Sequence, residues 1–340
     1  MPTGITDDNF VRLKVVETTV TNAVEFDKQI IARIKSKFFP IVIKINEAPD
    51  LTLCQIFNRT LPVYVSELKK EYDLGDNDIM YETDNLIQDK DVGNIIINHD
   101  NRPFLHMTKT EHQPDKKMSK KFGLFVGSSR WPRLYIGSSL WNHYKDSSLI
   151  TYNQSYFHEQ PARIGIDDLM FRLNRTKNKS VLDELADFCK NLPLNPVANQ
   201  FENNNGGYIN FTEAYDLLRT YDDIFVDMVC ETWHEGKTFL PTEKIARCFI
   251  TKTPFIVYGS RGYLKNLKRL GFKTFDNFWS EKYDLYEGVS RIENILAVVK
   301  QIQSTDHFSL YDSMGDQLEH NLVRYKEMSA DEIRKAFDDI

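Results

Sequence analysis

An α/β fold in two domains, with parallel strands joined by helices, is what this 340-residue sequence predicts. Three observations carry the prediction. Residues 224–275 alternate short apolar runs with helical periodicity, in the order strand, helix, strand, helix, strand, with short loops. A second strand, small-residue loop and helix begin at residue 122. A polar stretch at residues 108–121, TKTEHQPDKKMSKK, separates these from a first third with its own alternation. The expected layout is an N-terminal α/β domain at 1–110, a linker at 111–121, a C-terminal α/β domain at 122–303 and terminal helices at 304–340.

In the first third, residues 12–18 read as a strand. Residues 23–38 carry Val24, Phe26, Ile30, Ile31 and Ile34 at helical spacing. Residues 39–45 form a second strand, and a helical stretch follows over 52–72, interrupted at Pro62. Strands at 78–83 and 94–98 complete this set. The second domain opens with an apolar strand at 122–126, a Gly-Ser-Ser-Arg loop and a helix over 132–144. Residues 149–152 suit a strand and 181–192 a helix, and the Asn/Gly run at 203–207 suits a flexible loop. A helix over 212–220 feeds the strand at 224–230. After a loop, Pro241 stands where a helix starts, and Ile245, Cys248 and Phe249 recur at helical spacing until Thr253 and Pro254 stop them. A strand at 254–258, a turn from Gly259 to Gly262, a short helix capped by Gly271 and a strand at 272–275 follow. Residues 290–302 and 309–337 read as amphipathic helices.

Composition narrows the function classes. A hydrophobic content of 41% with 27% charged residues is that of a globular protein. The formal charge of −6 gives no general pull towards nucleic acid or anionic membrane. The first residues show no charged leader with an apolar core, and no apolar run reaches bilayer length, so no membrane span and a cytoplasmic location are expected. Cys54, Cys189, Cys230 and Cys248 form no Cys-X-X-Cys pair and read as reduced core residues.

Several motifs fail on chemistry. Gly236-Lys237-Thr238 looks like the end of a phosphate loop, but Glu231 stands where its first glycine must be. His234-Glu235 has Thr238 where a zinc protease needs its second histidine. Asp76-Asn-Asp78 and Asp89-Lys-Asp91 have a spacing that a divalent ion could use, yet both sit in polar turns and read as loops. No metal is expected.

The segment from Glu231 to Lys244 is different. In parallel sheets ligands bind at the carboxyl ends of strands, where Glu231, Thr242-Glu243-Lys244 and Gly259-Ser260 would gather. A lysine in the first turn of a helix opposes the macrodipole, and a bound phosphate would explain it. Glu243 could accept hydrogen bonds from vicinal hydroxyls. The alternative is that Glu243 compensates the dipole and Lys244 is solvated.

Glu231 followed eleven residues later by Thr242-Glu243-Lys244, with Phe239 and Leu240 just before, resembles the C-terminal signature of the α-1,3-fucosyltransferases and related viral and bacterial glycosyltransferases. That family reads Glu-Asn-Ser, then Tyr-Val-Thr-Glu-Lys; here Thr232-Trp233 replaces Asn-Ser and the loop is about two residues longer. The resemblance implies two Rossmann-like domains facing a central cleft (the GT-B type) and a nucleotide-sugar donor, GDP- or UDP-linked, with no other cofactor. It places Glu243 on the ribose and Lys244 on the phosphates, with Glu231 and Thr242 beside them, and a glycan as acceptor. Arg130 and Arg133 match by position the arginines that lie near the donor phosphates, where a planar guanidinium can donate two bonds at once. Inverting, metal-independent transfer is implied. The acceptor hydroxyl needs a general base from the first domain; Asp100 is the first choice, with Glu82 and Asp84 competing. Two other classes stay open: a phage-type enzyme that glycosylates a DNA base, and a non-catalytic nucleotide-sugar-binding protein.

Overall fold

The computed structural model describes residues 11–15, 41–45, 55–56, 59–87, 94–97, 102–127, 129–152, 169–173, 179–194 and 214–337. The expected helix at 23–38, the loop at 203–207, Asp89, Asp91, Asp100 and Cys54 lie outside the described residues. The chain divides into two compact units. One takes Met1–Asn101, Trp233–Leu240 and Ser329–Ile340; the other takes Arg102–Thr232 and Pro241–Met328.

The first unit holds a parallel sheet of β1 (Val11–Val15), β2 (Ile41–Ile45), β5 (Ile79–Thr83) and β6 (Asn94–Ile97), in the order β1-β2-β5-β6. Its strands follow one another in chain order without reversal, with Val11 opposite Ile41, Ile41 opposite Ile79 and Met80 opposite Asn94. A short antiparallel pair, β3 (Gln55–Ile56) and β4 (Arg59–Thr60), precedes α1 (Leu61–Tyr72). The long helix expected over 52–72 is thereby corrected. Pro62 sits in the first turn of α1, where its missing N–H costs nothing, and so starts the helix rather than interrupting it.

Asn85, fully buried after β5, ties a distant loop into this unit. Its side-chain oxygen accepts from the Phe239 amide at 2.8 Å, and its amide group donates to the Lys237 carbonyl at 2.9 Å. The Leu86 amide donates to the Phe239 carbonyl, and the Phe239 ring packs 5.5 Å from Phe337 of α11 (Ala330–Phe337). The last described helix therefore belongs to the unit that contains the first described strand.

The second unit is organised by a parallel sheet of β7 (Lys120–Val126), β8 (Ser148–Tyr152), β9 (Ile224–Cys230) and β10 (Phe255–Tyr258), in the order β10-β9-β7-β8. All seven residues of β9 are buried, which explains its near-continuous apolar run. Around it stand α3 (Trp131–Tyr144), α4 (Lys179–Lys190), α5 (Ala214–Thr220), α6 (Glu243–Ile250), α7 (Tyr263–Arg269) and α8 (Gly288–Gln303). Gly137 lets α3 approach α4, since a Cβ there would fall 2.9 Å from the Phe188 ring. The short α2 (Arg102–Leu105) and the helices α9 (His307–Ser313) and α10 (Gly315–Glu327) complete the unit. Phe249 stacks on Phe272 at 4.2 Å, and Phe104 lies 5.1 Å from Tyr325, whose hydroxyl donates to the Phe104 carbonyl.

Two expectations change here. Residues 272–275 form no strand. Side chains satisfy their backbone instead of a sheet neighbour: Asn321 brackets Lys273 with two bonds of 2.8 Å, Glu281 accepts from the Phe275 amide at 2.6 Å, and Gln317 donates to the Thr274 carbonyl. The polar stretch at 108–121, expected to hold a linker, is instead a strap packed into this unit. The amides of Lys117 and Met118 donate to the Asp222 carbonyl, Met118 is buried, and the Lys116 ammonium donates to the Tyr221 carbonyl at 2.8 Å and to Thr253 Oγ1 at 2.5 Å. Composition hid this, because a lysine stem can lie in a core while its head finds oxygens.

Candidate functional site

β7 is the strand at which the second sheet changes direction, with β8 on one side and β9 on the other. In an open parallel sheet such a reversal opens a crevice at the carboxyl ends of the two diverging strands. The loops after β7 and β9 therefore mark the place to look.

Glu231 follows β9 directly and is 2% exposed. Its carboxylate is fully engaged inside the unit. Oε1 accepts from the Thr242 amide at 3.2 Å and the Tyr263 hydroxyl at 2.8 Å, and Oε2 accepts from Thr242 Oγ1 at 2.7 Å. Glu231 thus belongs to the frame of the site. It fixes the residue that starts α6 to the end of β9 and to α7. Burial and the Glu231 charge together push the Tyr263 phenol well up, so this hydroxyl remains a donor at neutral pH.

Thr242 is the N-cap of α6, with Oγ1 accepting from the Lys244 amide at 3.3 Å. Glu243 and Lys244 form the first turn, and their side chains are 20% and 17% exposed. The Lys244 ammonium lies 3.0 Å from Glu243 Oε1, 3.2 Å from Thr242 Oγ1 and 3.9 Å from Glu231 Oε2. It is neither solvated nor unopposed, since two carboxylates offset it at a helix end that disfavours a cation. Burial works against the Glu243 charge, but Lys244 and Arg247 outweigh it and leave that carboxyl at about 2. At this partly open face an anion can exchange with Glu243 for the ammonium, and the released carboxylate becomes an acceptor for hydroxyl groups.

The loop after β7 lies beside the same edge. Arg130 is the N-cap of α3, Pro132 sits in its first turn, and Arg133 is buried. Arg133 donates to the Cys230 carbonyl at 3.1 Å, which ties the start of α3 to the last residue of β9. Ser129 and Tyr152 pair through their hydroxyls at 2.9 Å. Trp131 packs edge-on to Tyr258 at the end of β10, and the Arg172 guanidinium lies 4.5 Å above its ring. Arg133, Glu231, Thr242, Glu243 and Lys244 are therefore gathered at one sheet edge, as the strand order requires. The sequence reading did not single out Arg172, because the residues around it show no clear period.

The proposed bases stand elsewhere in the chain. Glu82 lies near the end of β5 and Asp84 just after it. Asp76 and Asp78 lie in a single 3₁₀ turn rather than a loop: Asp76 pairs with Lys69 at 2.8 Å, and Asp78 accepts from the Gly75 amide at 2.6 Å. Among the described residues there is no group of three metal-ligating side chains and no helix long and apolar enough to cross a membrane. A groove of about 530 Å³ sits at the opposite, amino edge of the sheet, where His112, Asp115 and Lys117 meet Asp222 and Asp223. Asp222 there anchors the strap, accepting from the Asp115 amide at 3.1 Å with His112 at 3.5 Å.

A further polar layer went unnoticed in sequence. Asp227, in the middle of β9 and 3% exposed, accepts from the Tyr221 hydroxyl at 2.8 Å, and Arg247 donates to that same hydroxyl at 3.1 Å. The signal was there: one aspartate inside the apolar run IFVDMVC. Comparison with protein-family models, with curated proteins and with solved structures gives no match for this chain.

Proposed function

We propose that this chain is a glycosyltransferase with two nucleotide-binding-like domains, moving a sugar from a GDP- or UDP-linked donor to a glycan. One observation carries the reading. The Thr242-Glu243-Lys244 helix start is locked by Glu231 to the carboxyl end of β9, beside the reversal of strand order and the arginine-bearing start of α3. A nucleoside diphosphate fits that chemistry. Its phosphates take the Lys244 ammonium at the helix start, with the arginine-bearing start of α3 nearby, and its ribose hydroxyls take the Glu243 carboxylate. As the diphosphate leaves, these cations offset its growing charge without a metal, and inversion requires a general base to receive the acceptor proton.

The test is a thermal-shift screen with GDP, UDP, ADP, CMP and dTDP on the wild type and Lys244→Ala. A ligand that binds the folded state raises its melting temperature by mass action. A shift with one nucleotide that is lost in the variant supports the donor site, and hydrolysis of the matching nucleotide sugar separates an enzyme from a binding protein. No shift with any nucleotide, with or without a divalent ion, sinks the reading.

A further inference from the structure

Arg247 lies one helical turn beyond Glu243 on α6. Residues four apart share a helix face, and a helical side chain covers the turn before it. Arg247 is buried, whereas Glu243 is partly open. Below, the arginine is gripped through a directed relay. Its Nε–H donates to the Tyr221 hydroxyl at 3.1 Å, and that hydroxyl spends its own proton on Asp227 Oδ2 at 2.8 Å. The Tyr221 ring is itself fixed, stacked on Phe125 at 4.9 Å with 24° between the planes. The Cys248 thiol points at the same Asp227 oxygen at 3.5 Å.

A buried cation that meets a buried carboxylate only through a bridging hydroxyl stabilises little beyond well-packed apolar side chains, so its presence calls for another reason. The placement supplies one: a cation that cannot lose its proton stands between an interior carboxylate and the carboxylate at the open face. We infer that Arg247 is a positioning residue for the Glu243–Lys244 face, held beneath it by Tyr221 and Asp227, and that it governs how that face presents its carboxylate. The interior partner is enclosed by Tyr221, Arg247 and Cys248, with the Lys116 charge from the strap and Cys230 on its own strand also acting in this region. Asp227 is raised to about 6, by burial above all, while Glu243 falls to about 2 where Lys244 and Arg247 outweigh its burial. Between those values the surface carboxylate is charged and the buried one largely is not. Glu243 therefore stays an acceptor for ligand hydroxyls well into acid. The ligand half of this inference rests on the proposed donor site; the carboxylate half does not.

The experiment is a ¹³C NMR titration of glutamate-labelled protein, with the Glu243 signal assigned by its absence from Glu243→Gln. Arg247→Met alone strands a buried aspartate and can unfold the chain, so the variants are Tyr221→Phe, which cuts the relay, and the paired Asp227→Asn with Arg247→Met. The Glu243 midpoint is expected to rise by about one pH unit or more in the paired variant, and by less, in the same direction, in Tyr221→Phe. GDP or UDP affinity is expected to fall about tenfold in the paired variant. An unmoved Glu243 midpoint in both variants overturns the inference whatever the nucleotides do. If only Tyr221→Phe folds, its midpoint decides alone. A midpoint that moves in the variants, together with a wild type that binds neither nucleotide, overturns the donor site and, with it, the ligand half, and leaves the carboxylate half standing.

Discussion

The carboxyl end of β9 and its middle each hold a buried carboxylate, and the two do different work. Glu231 at the end accepts from the Thr242 amide, the Thr242 hydroxyl and the Tyr263 hydroxyl, so it fixes the start of a helix. Asp227 in the middle accepts from the side chains of Tyr221 and Cys248, so it fixes a buried cation. The end leads outward to Glu243 and Lys244, while Asp227, Tyr221 and Arg247 stay closed inside. The difference teaches that one strand can carry both the frame of a site and the counter-charge that tunes it.

Removing Glu231 is the strongest way to break that contrast. Glu231→Ala leaves the Thr242 amide and two hydroxyls buried without their acceptor, and stability should fall by about 3–5 kcal/mol in urea unfolding. Glu231→Gln, which keeps an acceptor, should cost less. A loss below about 1 kcal/mol for the alanine variant would show that the frame is not where the bonds place it.

The two layers should also respond to pH with opposite signs. Burial raises Asp227 from 3.8 to about 6, so the folded chain keeps a proton that the unfolded chain has lost. The stability this group contributes is present below about pH 4 and is lost as pH climbs through 6. Glu243 behaves the other way. Its folded value of about 2 lies below the ordinary 4.5, so its contribution is present above that value and is lost as pH falls towards 2. Urea midpoints from pH 3 to 7 should lose the first slope in Asp227→Asn and the second in Glu243→Gln. The Glu243 contribution should be on the order of 2 kcal/mol.

Lys116 sharpens the comparison from the strap side. Burial lowers its ammonium from 10.5 to about 8, so the unfolded chain binds more protons between those values and stability should rise with pH across that window. Lys116→Met should flatten the rise in alkaline urea melts. Arg172→Ala has the smallest expected effect, about 0.5–1 kcal/mol from its lost stacking on Trp131. A larger loss would mean that Arg172 holds more of the edge than its ring contact.

Much of the second unit was legible because its strands and helices carry their own period: residues 224–230, 243–250, 255–258 and 263–269 fold as their apolar spacing says. The gathering of Glu231, Thr242, Glu243 and Lys244 followed from strand polarity alone. What failed to show depended on distant partners. Residues 272–275 have strand composition but meet Asn321, Gln317 and Glu281 instead of a strand, and no local pattern announces that. The strap at 108–121 looks like a linker because its lysines are polar, yet Lys116 finds its oxygens more than a hundred residues away. Asn85 is equally silent in sequence, although its amide group clamps the 237–239 backbone.

The most direct measurement is a crystal structure of the protein grown with the nucleotide that gives the largest thermal shift. Diphosphate density within hydrogen-bond reach of the Lys244 ammonium, with ribose hydroxyls on Glu243 and that ammonium moved from carboxylate to phosphate, is the predicted result. A nucleotide bound elsewhere, such as the groove beside Asp222, with the Glu243–Lys244 pair undisturbed, would contradict it.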